Sequence, residues 1–262
     1  MPINWVNATA GLGVGILVGL TGVGGGSLMA PIMVLLFGVA PSTAVGTDLW
    51  FAAITKIVGG AVHGRRGTVD VQILRRMFYG SLPAAVLTLI WLHSTGMDQS
   101  HNKLMFRTLG ATLILSSVAA VFRKRVHRFG ERMRGARPIE FKSLQPVLTI
   151  VAGAILGFLV TFTSIGAGAL GAVMLLYLYP LRLTASSLVG TDIVHAIPLT
   201  ILAGIGHLLL GNVDFHLLGS LLLGSIPGIV IGAFASTYAP DKIVRSAISI
   251  MLAVLGLKMV FA

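Results

Sequence analysis

Three short motifs occur twice in this chain at one spacing, and a duplication of that kind leaves few folds open. Val45-Gly-Thr-Asp48 recurs as Val189-Gly-Thr-Asp192, and Gly80-Ser-Leu-Pro83 recurs as Gly224-Ser-Ile-Pro227. His63, Gly67, Val69 and Asp70 recur as His207, Gly211, Val213 and Asp214, again displaced by 192 − 48 = 144. Separated matches at a fixed spacing mark a duplicated structural unit. The expectation is two halves of like fold about a pseudo-two-fold axis, residues 1–122 and 144–262, joined by residues 123–143.

A fourth match concerns glycine. Gly19-Leu-Thr-Gly-Val-Gly-Gly-Gly-Ser-Leu-Met-Ala-Pro31 lies in a region without a charged residue from Met1 through Thr47. Thr161-Phe-Thr-Ser-Ile-Gly-Ala-Gly-Ala-Leu170 echoes it, with Thr163 on Thr21, Gly166 on Gly24 and Gly168 on Gly26 (163 − 21 = 142). Glycine is poor helix material and exposes backbone, so a glycine run between apolar helix formers marks a break whose main-chain groups face something other than lipid. Broken apolar segments at corresponding positions of two halves point to a transporter's substrate site.

The chain is 55% hydrophobic and 10% charged, with a mean hydropathy of +0.93. Soluble domains carry roughly a quarter charged residues, so this is an all-α polytopic membrane protein, expected in the cell (inner) membrane as a multi-pass chain. Lys and Arg number 19 against 8 Asp and Glu. Eight of the basic residues lie between Arg123 and Lys142, and Arg65, Arg66, Arg75 and Arg76 form a second group. Both groups flank apolar spans and read as cytoplasmic topology signals near anionic lipid, not as a nucleic-acid surface. Without cysteine there is neither a disulfide nor a thiolate metal site, and no metal or cofactor is expected. The N-terminus lacks the basic stretch of a cleaved signal peptide and reads as retained.

Apolar spans cover residues 3–20, 27–38, 42–62, 71–91 and 104–122 in the first half, and 144–160, 167–179, 183–205, 215–236 and 243–260 in the second. At 1.5 Å per residue the first two reach only about 27 and 18 Å, against a bilayer core of roughly 30 Å. They read as two pieces of a broken or re-entrant hairpin meeting at the glycines, leaving three transmembrane helices per half. The basic stretch between the halves reads as a short amphipathic or extended cytoplasmic linker. The loop at His63 to Arg76 carries four Arg, while its counterpart, Gly206 to His216, carries no Lys or Arg. The two loops then face opposite sides and the repeats are inverted, with both termini outside the cytoplasm. Parallel repeats, each broken segment crossing once, are the alternative.

A helix that starts just after a glycine break presents unpaired N–H groups and a partial positive charge to an anion. The candidate donors are the amides around Gly24, Gly25, Gly26 and Ser27 and around Gly166, Ala167, Gly168 and Ala169, with the hydroxyls of Thr21, Thr163 and Ser164. Close helix packing through small residues is the simpler reading of such glycines. Asp48, Lys56, Asp192 and His195 lie inside apolar spans, where an ionisable group is expensive unless paired or lining a wet cavity. Lys56 supplies the compensating charge for an anion. Thr200 holds the matching place in the second half, so the charge is one-sided. Asp48 and Asp192 follow Gly-Thr near a helix start and could instead cap it. His63 and His207 sit at the membrane boundary as candidate proton carriers or structural residues.

The glycine run Gly22-Val-Gly-Gly-Gly, Ala44-Val-Gly-Thr-Asp48, Thr55-Lys-Ile-Val-Gly-Gly-Ala-Val-His63, Gly67-Thr-Val-Asp70 and their second-half echoes resemble the TauE/SafE sulfite-exporter family of membrane permeases. The resemblance spans nearly the whole chain except the basic linker. It implies movement of small sulfur-containing anions such as sulfite, thiosulfate or short sulfonates. The second half departs from the glycine pattern, with Ala167 where Gly25 stands and Ser164 where Gly22 stands, so a site built from both hairpins would be asymmetric.

Two rival classes remain. An intramembrane hydrolase needs a nucleophile and an activating base, and His195 or His207 beside a Ser or Thr is conceivable. No G-x-S-x-G elbow or H-E-x-x-H pair is present, so an enzyme is not expected. An anion channel is the nearer rival, because re-entrant glycine segments also build filters. The partners expected are a small anionic substrate and the lipid bilayer. A homo-oligomer, the transport direction and the coupling ion stay open.

Overall fold

The computed structural model describes residues 5–21, 28–65, 67–96, 99–136, 138–235 and 241–261. Among them lie ten helices and no strand. In chain order they are α1 (Trp5–Thr21), α2 (Met29–Phe37), α3 (Pro41–Arg65), α4 (Val71–Thr95), α5 (Gln99–Ala136), α6 (Pro138–Thr163), α7 (Ala169–Leu178), α8 (Ala185–Leu209), α9 (Phe215–Ala235) and α10 (Asp241–Phe261). Among these, α4, α5, α6, α8 and α9 are long and apolar enough to cross a bilayer. The chain is a multi-pass membrane protein.

Local chemistry sets the helix ends. Asp70 begins α4 by accepting the Ile73 N–H, and Thr184 and Ser187 cap α8 reciprocally. Gly38 stops α2 in the left-handed region at φ 65°. With nine and ten residues, α2 and α7 span only about 14–15 Å, half a bilayer core. One expectation changes in form: the basic stretch is not extended, because α5 runs through it to Ala136 and α6 begins at Pro138. Lys, Arg, Glu and Met are good helix formers, so α5 continues until just before Pro138, which starts the next helix. At 38 residues α5 is about 57 Å long and outreaches the bilayer.

Two hydrogen bonds fix the relative polarity of the central pair. Near the start of α3, Thr47 Oγ1 accepts the backbone N–H of Asp214, just beyond the end of α8, at 3.0 Å. Near the start of α8, Thr191 Oγ1 accepts the N–H of Asp70, just beyond the end of α3, at 2.9 Å. The two helices therefore run antiparallel.

The outer helices exchange partners between the halves: α1 packs most extensively on α9, and α4 on α6. Glycine makes both approaches possible. A Cβ at Gly11, Gly15 or Gly19 would overlap the α9 backbone at Leu221, Ser225 or Ile229, and one at Gly224, Gly228 or Gly232 would overlap α1. Likewise a Cβ at Gly153 or Gly157 of α6 would strike Met77 or Ser81 of α4, and one at Gly80 would strike Ile150. Such contacts replace the hydrophobic drive that lipid removes. Matched positions also show that partners run parallel: 11, 15 and 19 meet 221, 225 and 229, and 153 and 157 meet 77 and 81. The starts of α6 and α8 consequently lie at the face where α4 begins, and the starts of α1 and α3 at the opposite face. Leu87 and Ile90 of α4 and Leu223, Ile226 and Val230 of α9 point outward as lipid-facing apolar surface.

Candidate functional site

Between α6 and α7 the chain abandons helix for five residues. Ser164 sits at φ 59°, Gly166 at φ 135° and Gly168 at φ 119°, conformations that suit glycine and strain serine by about 1–2 kcal/mol. Thr163 holds the turn by accepting the Ile165 N–H through its hydroxyl, which also donates to the Leu159 carbonyl. Gly171 N–H returns to Gly166 O and Ala172 N–H to Gly168 O. Among the described residues no backbone or side-chain hydrogen bond takes up the N–H of Ala167 or Ala169, at the head of α7. Thr163 and Ser164 are buried, and the Ser164 hydroxyl has no hydrogen-bond partner within contact geometry among the described residues.

Against this break the packing gathers the membrane-buried charges. Asp48 and Lys56 come from α3, and Asp192 and His195 from α8. All four are buried, with exposures of 0%, 6%, 4% and 0%. Asp48 lies eight residues into α3 and Asp192 eight into α8, so neither caps its own helix. Each is instead turned toward the head of the short helix in its own half: Asp48 toward the Ala30 N–H of α2, with Ser164 beside it, and Asp192 toward the Gly168 N–H of α7. A Cβ at Gly171 would overlap Asp192 Oδ1. Both oxygens of Asp48 and Oδ1 of Asp192 lack a hydrogen-bond partner within contact geometry. Lys56 acts electrostatically on both aspartates, yet no ion pair within 4.0 Å joins it to either. One ammonium thus acts on two carboxylates and makes a contact ion pair with neither.

His195 Nε2 lies 2.9 Å from Ser81 Oγ, with Phe78 against its ring at 5.3 Å between centroids. Its Nδ1 is unpartnered. His207 is apart from this group: its Nε2–H donates to the Thr161 carbonyl at 2.9 Å, near the end of α8. The candidate amides of Gly24, Gly25, Gly26 and Ser27, and the side chains of Thr21 and His63, lie outside the described residues.

Ser81, Thr47, Thr191 and Arg182 were not singled out by sequence reasoning. The first three stand inside the duplicated motifs, where repetition itself was the available signal. Arg182 gives a two-pronged ion pair to Asp70, at 2.6 and 2.9 Å, and nothing local in the sequence announces it. Among the described residues no cluster of three or more His, Cys, Asp or Glu could hold a metal ion.

The comparisons with known proteins agree with this architecture. The family model described as "Sulfite exporter TauE/SafE" matches residues 8–259. The probable membrane transporter protein YjnA of Bacillus subtilis is 39% identical over 255 residues, covering 95% of this chain and 97% of that protein. YdhB of the same organism, also named a probable membrane transporter, is 29% identical over 94% of this chain and 96% of its own length. The probable membrane transporter protein MJ0441 of Methanocaldococcus jannaschii is 24% identical over 94% and 91% respectively. No solved structure matches. With membrane helices throughout and a family match running almost from end to end, this chain is a membrane transporter belonging to the TauE/SafE family.

Proposed function

We propose that this protein is a secondary transporter for small sulfur-containing anions such as sulfite, thiosulfate or short organosulfonates, bound near the bilayer midplane between the two glycine-rich breaks. The observation that carries the reading is Lys56, a buried ammonium with no contact ion pair among the described residues, acting on two carboxylates that face the heads of the two half-helices. A buried cation without a contact partner is costly unless a mobile anion completes it. The N–H groups at Ala167 and Ala169, and those expected from Gly24 to Ser27, supply donors of the kind that bind anionic oxygens at helix starts. Ser164 supplies a hydroxyl, and Thr21 is expected to supply another, while the Thr163 proton is given to the Leu159 carbonyl and would have to leave it to reach an anion.

The repeats fit an inverted arrangement. Antiparallel α3 and α8, hairpins entering from opposite faces, and the absence of Lys and Arg from Gly206 to His216 against four Arg from His63 to Arg76 all support it. On this reading the face of α4's start is cytoplasmic and both termini lie outside.

The Ser81–His195 contact is the one geometry that favours a hydrolase. A working triad also needs a group orienting the other ring nitrogen, and Nδ1 has no partner among the described residues. We read the pair as a neutral donor and acceptor beside the charges.

The test is uptake of radiolabelled sulfite, thiosulfate and ethanesulfonate by proteoliposomes. Saturable flux with Lys56 intact and loss of it in Lys56→Ala is expected. Normal transport by Lys56→Ala removes Lys56 from the site, and flux rising linearly without saturation identifies a channel. Gly25→Val, expected from the sequence to fill the approach to the amides without deleting a donor, should block binding, whereas Ala167→Gly should be tolerated.

A further inference from the structure

An anion drawn to the heads of α2 and α7 meets an obstacle of the protein's own making. Asp48 and Asp192 already face the N–H groups there, through carboxylate oxygens that are buried and unpartnered. Both half-helices have nine or more residues, long enough for a real terminal dipole, and a side-chain carboxylate at such a terminus competes directly with a bound anion. Lys56 acts on both carboxylates and Arg123 on Asp192, so with both acids ionised the charges of the group balance before any substrate arrives. Adding an anion to a buried group whose charges already balance is unfavourable unless a positive charge comes with it.

We infer that the anion enters this site together with one proton, taken up by Asp48 or Asp192, so that anion movement is coupled to proton movement in the same direction. The inference rests on the anion site proposed above. The charge count closes: one proton added to a carboxylate oxygen cancels one monovalent anion, and the group keeps the net charge it had. Protonation also releases the half-helix head, because a neutral carboxyl holds backbone N–H groups less tightly than a carboxylate. When the anion leaves, the proton leaves with it and the carboxylate returns to the N–H groups. The two aspartates stand at equivalent positions of the two halves, one serving each hairpin, so either hairpin's donors can be claimed or released.

The surroundings of both acids bear on the coupling. Asp48 is faced by Lys56 from its own helix, by Ser164 of the α6–α7 break and by the Ala30 N–H. Asp192 is faced by Lys56 from α3, by Arg123 from α5 and by the Gly168 N–H. His195, one turn further along α8, is engaged with Ser81 and also feels Lys56. Of the groups named, only the two carboxylates lie directly at half-helix heads.

The test is calorimetric titration of the purified full-length protein with ethanesulfonate, a strong-acid anion whose own charge does not change over the working range. Titrations in two buffers of different ionisation enthalpy report proton uptake. Wild type should take up about one proton per anion bound, and its affinity should fall by about tenfold per pH unit on the alkaline side. Asp48→Asn or Asp192→Asn, whichever replaces the proton carrier, should bind with a flat pH profile and no buffer dependence. Binding that is independent of pH and buffer in wild type overturns the coupling and leaves the anion site standing. An unchanged slope in both single variants and in the double variant overturns it as well. No binding at any pH, with thiosulfate and sulfite also failing, removes the anion site and the coupling together. If an Asn variant fails to fold, the wild-type buffer comparison still decides.

Discussion

The two sets of repeated motifs make matching contacts in this transporter, and the positions around them differ in charge. Thr47 and Thr191 make the same hydrogen bond to Asp214 and Asp70, Gly80 and Gly224 admit the same kind of helix contact, and Asp48 and Asp192 face the same kind of helix head. Yet Lys56 corresponds to Thr200, His195 to Phe51, and Arg182 to Gly38, each pair offset by 144. The repeated motifs carry the shared contacts, and single positions outside them carry one ammonium from α3 and one imidazole from α8. A site of this kind has no symmetric partner to fall back on, which is why its residues should be sensitive one by one.

Experiments can break this comparison at several strengths. The most decisive is all-or-none: in this cysteine-free chain, Gln72→Cys and His216→Cys occupy equivalent exposed positions, and an impermeant maleimide should label them from opposite sides of the membrane. Labelling from one side would make the repeats parallel.

Next comes a charge transfer. Lys56→Thr should weaken anion binding by about 100-fold, as expected when one member of a buried charged group is removed. Adding Thr200→Lys to it should restore part of the loss, measured by calorimetry, because Thr200 is buried at the equivalent place. No recovery would mean that the halves are not interchangeable at this depth.

A smaller effect is expected at the loops. Asp70 and Asp214 both cap the following helix, but only Asp70 also holds Arg182. Asn caps well, so Asp214→Asn should cost a few tenths of a kcal/mol and Asp70→Asn about 1 kcal/mol, seen as unequal drops in melting temperature. Smallest is Ser164→Gly, which gives the second half the residue found at Gly22. Relief of the left-handed strain, less the entropy of glycine, should leave the protein about 0.5 kcal/mol more stable, and a loss of stability would show the hydroxyl to be a structural anchor.

Much of the helix order could be read from the sequence. Every apolar span became a helix, because hydropathy and glycine punctuation are local properties, and of the amphipathic and extended forms expected for the basic stretch the extended one is not found, because Lys, Arg and Glu favour helix. The intramembrane charges could be named for the same reason: Lys56 in an apolar run is conspicuous wherever it packs. Their arrangement was not legible. That Asp192 turns to Gly168, or that Arg182 holds Asp70 across 112 positions, depends on how distant helices cross. The glycines of α1 and α6 looked like ordinary small residues until the partner backbones were in place.

The exchange of outer helices also bears on how such a chain is made. Gly11 meets Leu221, so α1 leaves the ribosome 221 − 11 = 210 residues before the surface it fits, and α4 likewise waits for α6. Neither half can complete its packing during its own synthesis, and the early helices must persist in lipid with their glycine grooves unfilled. Two fragments divided near residue 137, one per half, should therefore each be unstable when expressed alone and recover when expressed together, making assembly of the halves, rather than insertion of single helices, the step most exposed to quality control.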